Sequence, residues 1–219
     1  MPREVKNIRG FLLKVSFGGE NMSDEALLIP NDEYLKSGIH IGTKFKTKYM
    51  DNFIYKTRPD GLSVLNVQRI DERIRLAANL LANYEPEEIL VVCRRETGWK
   101  AVRLFSEVTG SKHFAGRYPP GVLTNPSLKN FIEAKVILVA DSWPDKNAVE
   151  DALKIGLPVI ALCDTNNQTN NLDLVVPCNN KGKKSLGLVF YLLAKLYSEK
   201  KGIVKEGEFK YSVADFSDD

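Results

Sequence analysis

Residues 89–93, Ile-Leu-Val-Val-Cys, and residues 136–140, Val-Ile-Leu-Val-Ala, decide the fold. Each is an unbroken apolar run of strand length. A strand with no polar side to turn toward water is buried on both faces, as happens in parallel sheets connected by helices. The residues that follow each run supply such helices. After the first, Trp99, Val102, Phe105 and Val108 share one stripe, and Gly110 ends it. After the second, a helix is expected from Lys146 to Ile155, ended by Gly156. Further strands are expected at Val159–Leu162 and Leu174–Val176. A last helix, from about Ser185 to Lys200, presents Leu186, Val189, Phe190, Leu193 and Leu196.

Reading upstream, Leu62–Val67 is a strand. The helix after it carries Ile70, Ile74, Ala77, Leu81 and Tyr84 on one face. Arg58-Pro59-Asp60-Gly61 lies between apolar runs in residues 54–66, a turn signal between two strands. Residues 38–50 read as an exposed loop with alternating lysines. Asn31–Ser37 reads as a short helix, with Asn31 as N-cap and Gly38 as its end. The expected architecture is α/β: a three-layer, doubly wound, mostly parallel sheet of flavodoxin or Rossmann type. Residues 1–29 form an N-terminal extension of weak periodicity, 30–201 a single α/β domain, and 202–219 an acidic C-terminal tail.

With 43% hydrophobic and 27% charged residues, the chain of 219 has the composition of a folded globular protein rather than a disordered one. No apolar run reaches the ~18 residues of a membrane span. The start, Met1-Pro-Arg-Glu-Val-Lys6, lacks the apolar stretch of a signal peptide, so a cytoplasmic location is expected. Cys93, Cys163 and Cys178 are odd in number and lack C-x-x-C spacing, and His40 and His113 are the two histidines. Buried free thiols are expected, with no metal site and no cofactor.

The net charge of +3 hides an uneven distribution. The tail, with Lys205 and Lys210 against Glu206, Glu208, Asp215, Asp218 and Asp219, is acidic. Cations gather in three places: Lys44, Lys46, Lys48, Lys56 and Arg58; Arg94, Arg95, Lys100 and Arg103; Lys181, Lys183 and Lys184. Such runs are ordinarily solvated faces, but three that converge would form a footprint for a polyanion.

Doubly wound sheets bind ligands beyond the C-terminal strand ends. Asn66, Arg94, Arg95, Asp141, Ser142, Asp164 and Thr165 are expected there. The aspartates can hold a metal or a ribose, or can cap a turn, and the second reading is preferred because no partner motif accompanies them. No strand is followed by G-x-G-x-x-G. Gly182-Lys183-Lys184-Ser185 ends like a phosphate-binding loop but has Lys183 and Cys178 where that motif needs glycines. No G-x-S-x-G elbow occurs. His40, between Gly38 and Gly42, can act as a base or simply bond the backbone of its own loop. Catalysis is not expected.

Residues 116–126, Gly-Arg-Tyr-Pro-Pro-Gly-Val-Leu-Thr-Asn-Pro, introduce a resemblance. Together with Ser37-Gly-Ile-His-Ile-Gly42, Met50, Phe53-Ile-Tyr55, Arg58, Asp60-Gly61, Leu65 and Asp71-Glu-Arg73, they resemble the family of small-subunit ribosomal protein number two. Lys129-Asn-Phe131, Pro158, Asp164-Thr165 and Pro177-Cys-Asn-Asn-Lys-Gly182 continue it, from about Ile29 to Phe216. The branch is the one shared by archaea and eukaryotes, which includes the laminin-receptor-like ribosomal protein. The lack of room for the bacterial helical hairpin and the short tail favour the archaeal side. Departures are Lys135 for a usual proline, Asp151 for glutamate, Val122 for threonine, and Ser142-Trp143-Pro144 after Asp141.

The resemblance implies a structural constituent of the small ribosomal subunit in translation. Its implied partners are small-subunit rRNA and neighbouring ribosomal proteins, with no small-molecule substrate and no membrane. RNA contacts are then expected at Lys44, Lys46, Lys48, Lys56, Arg58, Arg94, Arg95, Arg117, Thr124, Asn125, Asn179, Asn180, Lys181, Lys183 and Lys184. Cations would meet phosphates, and the asparagines phosphates and 2′-hydroxyls. Gly38, Gly42 and Gly121 would let main chain approach the RNA. Tyr49, Phe53 and Tyr55 can stack on unpaired bases or anchor onto the sheet. Phe209, Tyr211 and Phe216 read as a protein-docking segment of the tail. Two alternatives are a nucleotide- or flavin-binding enzyme or sensor on the same fold, and a protein-only interaction scaffold.

Overall fold

A computed structural model describes residues 27–204 and 207–217. The expected extension over 1–29 therefore lies outside the described residues up to residue 26. Helix α1 (Asn31–Ser37) leads through a loop to a hairpin of β1 (Ile54–Thr57) and β2 (Ser63–Leu65). The α/β pattern follows: α2 (Val67–Leu81), β3 (Ile89–Cys93), α3 (Trp99–Thr109), β4 (Lys112–Ala115), β5 (Val136–Val139), α4 (Lys146–Ile155), β6 (Val159–Cys163), β7 (Leu174–Pro177) and α5 (Lys183–Lys200). A final turn of helix, α6, spans Val213–Phe216.

The five-stranded sheet runs β4-β3-β5-β6-β7, with every neighbouring pair parallel. This is the flavodoxin-like order. Strands β3 and β5, whose runs predict the fold, are central and buried at every position. The chain moves one way from β3 to β4 and the other way from β5 onward. Right-handed crossovers then put α3 and α4 on opposite faces. Helices α2, α3 and α5 pack together on one side. On the other, α4 packs on β5, and the loop between β4 and β5 is bonded to α4 through Gly121 and Asp151.

Local chemistry explains the boundaries. Helix α2 starts where the Asn66 side chain accepts the Gln68 N–H. Helices α3 and α4 end on Gly110 and Gly156, both in the left-handed conformation that closes a helix and disfavours side chains. The strand expected over Leu62–Val67 is shorter because Asn66 already begins α2. Strand β4 escaped the sequence reading: Lys-His-Phe-Ala sits at a sheet edge, only partly covered, and shows no apolar run. Helix α1 is preceded by Pro30 at the N-cap, so Asn31 is its first residue and not its cap.

Ile70, Ile74, Ala77 and Leu81 face the core as expected. So do Cys93, Cys163 and Cys178, which are free thiols. Burial raises all three, Cys93 to about 12, so they stay protonated at neutral pH. The same core cluster includes Phe216 of the tail.

Candidate nucleic-acid interface

The loop before β1 is not free. The Gly42 N–H donates to the Ser63 carbonyl and the Ser63 N–H to the Thr43 carbonyl, and Thr43 N–H donates to Thr165 Oγ1 at 2.9 Å. Thr47 N–H donates to the Thr165 carbonyl at 2.9 Å. A Cβ on Gly42 would lie 2.5 Å from Thr165 Cγ2 and 2.9 Å from the Ser63 carbonyl. The close approach that Gly42 permits is therefore made to its own chain. Gly38 ends α1 in the left-handed conformation, and the Gly121 N–H donates to Asp151. Between these anchors Lys44, Lys46 and Lys48 point to solvent, and Lys46 pairs with Asp51 at 2.7 Å.

Thr165 adjoins Asp164, a buried carboxylate whose Oδ2 accepts from Lys181 Nζ at 2.9 Å. Lys183 and Lys184 are exposed on the first turn of α5. Asn179 ties this turn to α1: its Oδ1 accepts from Lys181 and Gly182 N–H groups, and its Nδ2 donates to the Gly38 carbonyl. Asn180 is fully buried, its Nδ2 donating to the Leu162 carbonyl and to Asn167 Oδ1, so the side chain does not reach solvent.

Asn167 continues the network to Asp141, donating to Oδ1 at 2.7 Å. Asp141 Oδ2 is held by Arg95 through Nε at 2.6 Å and by a second guanidinium nitrogen at 2.5 Å. The preference for a turn role at the strand-end aspartates is met, since Asp141 accepts the Trp143 N–H and Asp164 the Thr165 N–H. The ion pairs with Arg95 and Lys181 are what the spacing did not reveal. They join residues 46 and 17 positions apart, separations that no local pattern encodes.

One hydrogen-bonded chain thus links the lysine loop, the start of α5 and the Arg94-Arg95 corner along the C-terminal edge of the sheet. The hairpin adds Lys56, which lies over the Tyr55 ring at 5.8 Å, and Arg58, paired with Asp60 at 3.6 Å. Lys100 turns away to donate to the Ser217 carbonyl. Thr124 is half-buried and Asn125 exposed, its Oδ1 accepting the Ser127 N–H; Arg117 is exposed. Phe53 is buried beneath Arg73 at 5.3 Å, an anchor, while Tyr49 and Tyr55 stay exposed. Phe209 and Phe216 pack edge-on against Tyr191 of α5, and Tyr211 against both.

His40 is held by burial with its pKa below the usual value, opposed by the Tyr34 backbone, and its carbonyl accepts the Leu65 N–H. Among the described residues no group of His, Cys, Asp and Glu could hold a metal ion, and no helix is long and apolar enough to cross a membrane.

The departures in the sequence are accommodated. Asp151 accepts from Gly121 and Tyr118 and pairs with Lys154 at 3.0 Å. Burial pushes its carboxyl upward, but the Gly121 N–H and Lys154 hold it below the ordinary range. Lys135 pairs with Glu88, and Val122 is fully buried.

Comparison with known proteins bears out the family resemblance read from the sequence. The family described as ribosomal protein S2 matches residues 34–134 and 127–199. Three proteins named small ribosomal subunit protein uS2 are similar throughout. The one from Picrophilus torridus is 48% identical over 196 residues, which cover 89% of this chain and 98% of that protein. The one from Nanoarchaeum equitans is 48% identical, covering 86% and 94%. One from Methanococcus maripaludis is 50% identical, covering 84% of each.

Proposed function

This chain belongs to the ribosomal protein S2 family, and from that premise we propose that it is a structural constituent of the small ribosomal subunit that grips rRNA with the C-terminal edge of its sheet. The convergence of the lysine loop, the start of α5 and the Arg94 corner on that edge carries the proposal. Lys44, Lys48, Lys56, Lys183, Lys184 and Arg117 supply outward cations without a metal or cofactor. Their contribution is phosphate neutralisation with release of counterions, which gives affinity without base reading.

The flavodoxin-like crevice supports the same reading. The Arg95–Asp141 pair fills part of its usual ligand space between β3 and β5 and leaves only a small cavity, so the fold serves as a scaffold. The α/β domain of residues 30–201 would carry the RNA surface. The tail of residues 202–219 would face protein neighbours with its polar side, since its rings turn inward. Archaeal relatives carrying the same name support an archaeal type of assembly.

The test is the salt dependence of rRNA binding. Replacing Lys44, Lys46 and Lys48 together with alanine should lower affinity and reduce the slope of log K against log salt by about two. An unchanged slope would remove the loop from the interface.

A further inference from the structure

A small cavity of about 180 Å³ opens at the switch point of the sheet, lined by Arg94, Arg117, Tyr118, Pro144, Asp145 and Asn147. Three strand ends meet there: Arg94 follows β3, Arg117 follows β4, and Pro144 and Asp145 follow β5. Asp145 is 2% exposed, and its Oδ2 accepts the Arg94 N–H at 3.1 Å. Its Oδ1, also buried, has no hydrogen-bond partner among the described residues. The Arg94 guanidinium is steadied by the Pro144 carbonyl at 3.3 Å. No carboxylate among the described residues pairs with Arg117.

These groups ask for a ligand with two different ends. Two guanidinium groups want an anion. A buried carboxylate oxygen left without a donor wants an N–H, because an unsatisfied buried acceptor is costly. A bare phosphate meets the first demand and is repelled by the second. A flavin or dinucleotide is too large, since cofactor pockets commonly span roughly 300–1,000 Å³. Resting on the reading above, we propose that this cavity captures one unpaired nucleotide of the small-subunit rRNA, its base N–H edge on Asp145 Oδ1 and its phosphate on Arg94 and Arg117. The contact would give the otherwise sequence-blind surface a fixed register, as base contacts do when phosphate contacts supply the affinity.

The experiment titrates full-length protein with small-subunit rRNA across a salt series at a pH near 8, where the Asp145 carboxyl is ionised and its Oδ1 is an acceptor. Arg117→Ala alters an exposed side chain and leaves the fold alone. It should weaken binding about 3- to 10-fold and flatten the salt slope by about one. Asp145→Asn keeps the shape. Its oxygen must stay with the Arg94 N–H, so its NH₂ takes the place of Oδ1 and opposes the base N–H. Binding should fall about 5- to 30-fold with the slope unchanged. A thermal melt of each variant separates lost binding from lost fold.

If both folded variants bind like the parent while the triple lysine variant is impaired, the cavity inference falls and the rRNA interface stands. If the parent itself fails to bind rRNA, the reading and the inference fall together. Adenosine monophosphate and inorganic phosphate are titrated as controls. If either binds as tightly as rRNA in an Arg117-dependent way, the site belongs to a free anion or nucleotide and the RNA assignment is overturned.

Discussion

Arg95 and Asp141 meet across the boundary between β3 and β5, two guanidinium nitrogens on one carboxylate oxygen at 2.5 and 2.6 Å. The carboxylate is 1% exposed. The place where this topology ordinarily seats a ligand is narrowed by the protein's own charge pair, and the outward cations remain for a polyanion. Breaking a buried pair leaves an uncompensated charge. Arg95→Ala should destabilise by about 3–5 kcal/mol, measured by urea unfolding. Removing both charges, Arg95→Met with Asp141→Asn, should recover a large part of that loss.

A second pair ties α1 to the domain. The Tyr34 hydroxyl donates to Asp71 Oδ1 at 2.5 Å, and burial and then that bond push its pKa well above the usual value. Asp71 also accepts from Arg75 and the Leu28 N–H, so it keeps partners when the hydroxyl goes. Tyr34→Phe should therefore cost about 1.5 kcal/mol, near the low end for a bond to a charged group. A loss near zero in chemical denaturation would show that the bond is replaced by water.

The tail offers a steric test. A Cβ on Gly187 would sit 3.0 Å from the Phe216 carbonyl oxygen, against backbone that cannot swing aside. Gly187→Val should dislodge the segment around Phe216 and expose the Tyr191 ring. Limited proteolysis should then cut near residue 211 faster than in the parent, while the core resists. Equal cleavage rates would mean that the tail does not rest on α5 in solution.

Asp145 should set a pH dependence. Burial raises its carboxyl to about 7, while the Arg94 N–H works the other way and the charge of Asp141 works with burial; the Arg94 and Arg95 guanidinium groups and Cys93 also face it. Between its ordinary value of 3.8 and about 7, the folded chain holds a proton that the unfolded chain has released. Stability from this group therefore falls as pH rises through that window and is level above it, by at most roughly 4 kcal/mol at 1.36 kcal/mol per unit. Asp145→Asn should remove the fall and melt higher than the parent at pH near 8. A parent melting temperature that rises across the window, with no difference in the variant, would contradict the assignment.

The layered core was legible because its signal is local. Ile89–Cys93, Val136–Val139 and the stripe Ile70, Ile74, Ala77, Leu81 each carry their burial in neighbouring residues. Helix ends were legible where glycine stood, at Gly38, Gly110 and Gly156. Edge strand β4 was not, since an edge needs little apolar surface and Lys112–Ala115 offers little. At the interface, the sequence pattern named the cations but not their partners. Whether a lysine faces RNA or a buried carboxylate depends on contacts such as Lys181 to Asp164, made between loops the fold brings together. Asn180 illustrates the limit: its neighbours in the chain mark it as polar surface, and the Leu162 carbonyl takes it inside.

The central claim is membership in the small subunit. Tagged protein is followed through a density gradient, from lysate of the cells that make it, at two magnesium concentrations, the lower of which separates the ribosomal subunits. The account predicts that it sediments with the small subunit in both. Protein that stays at the top of both gradients, as a free chain, would contradict it.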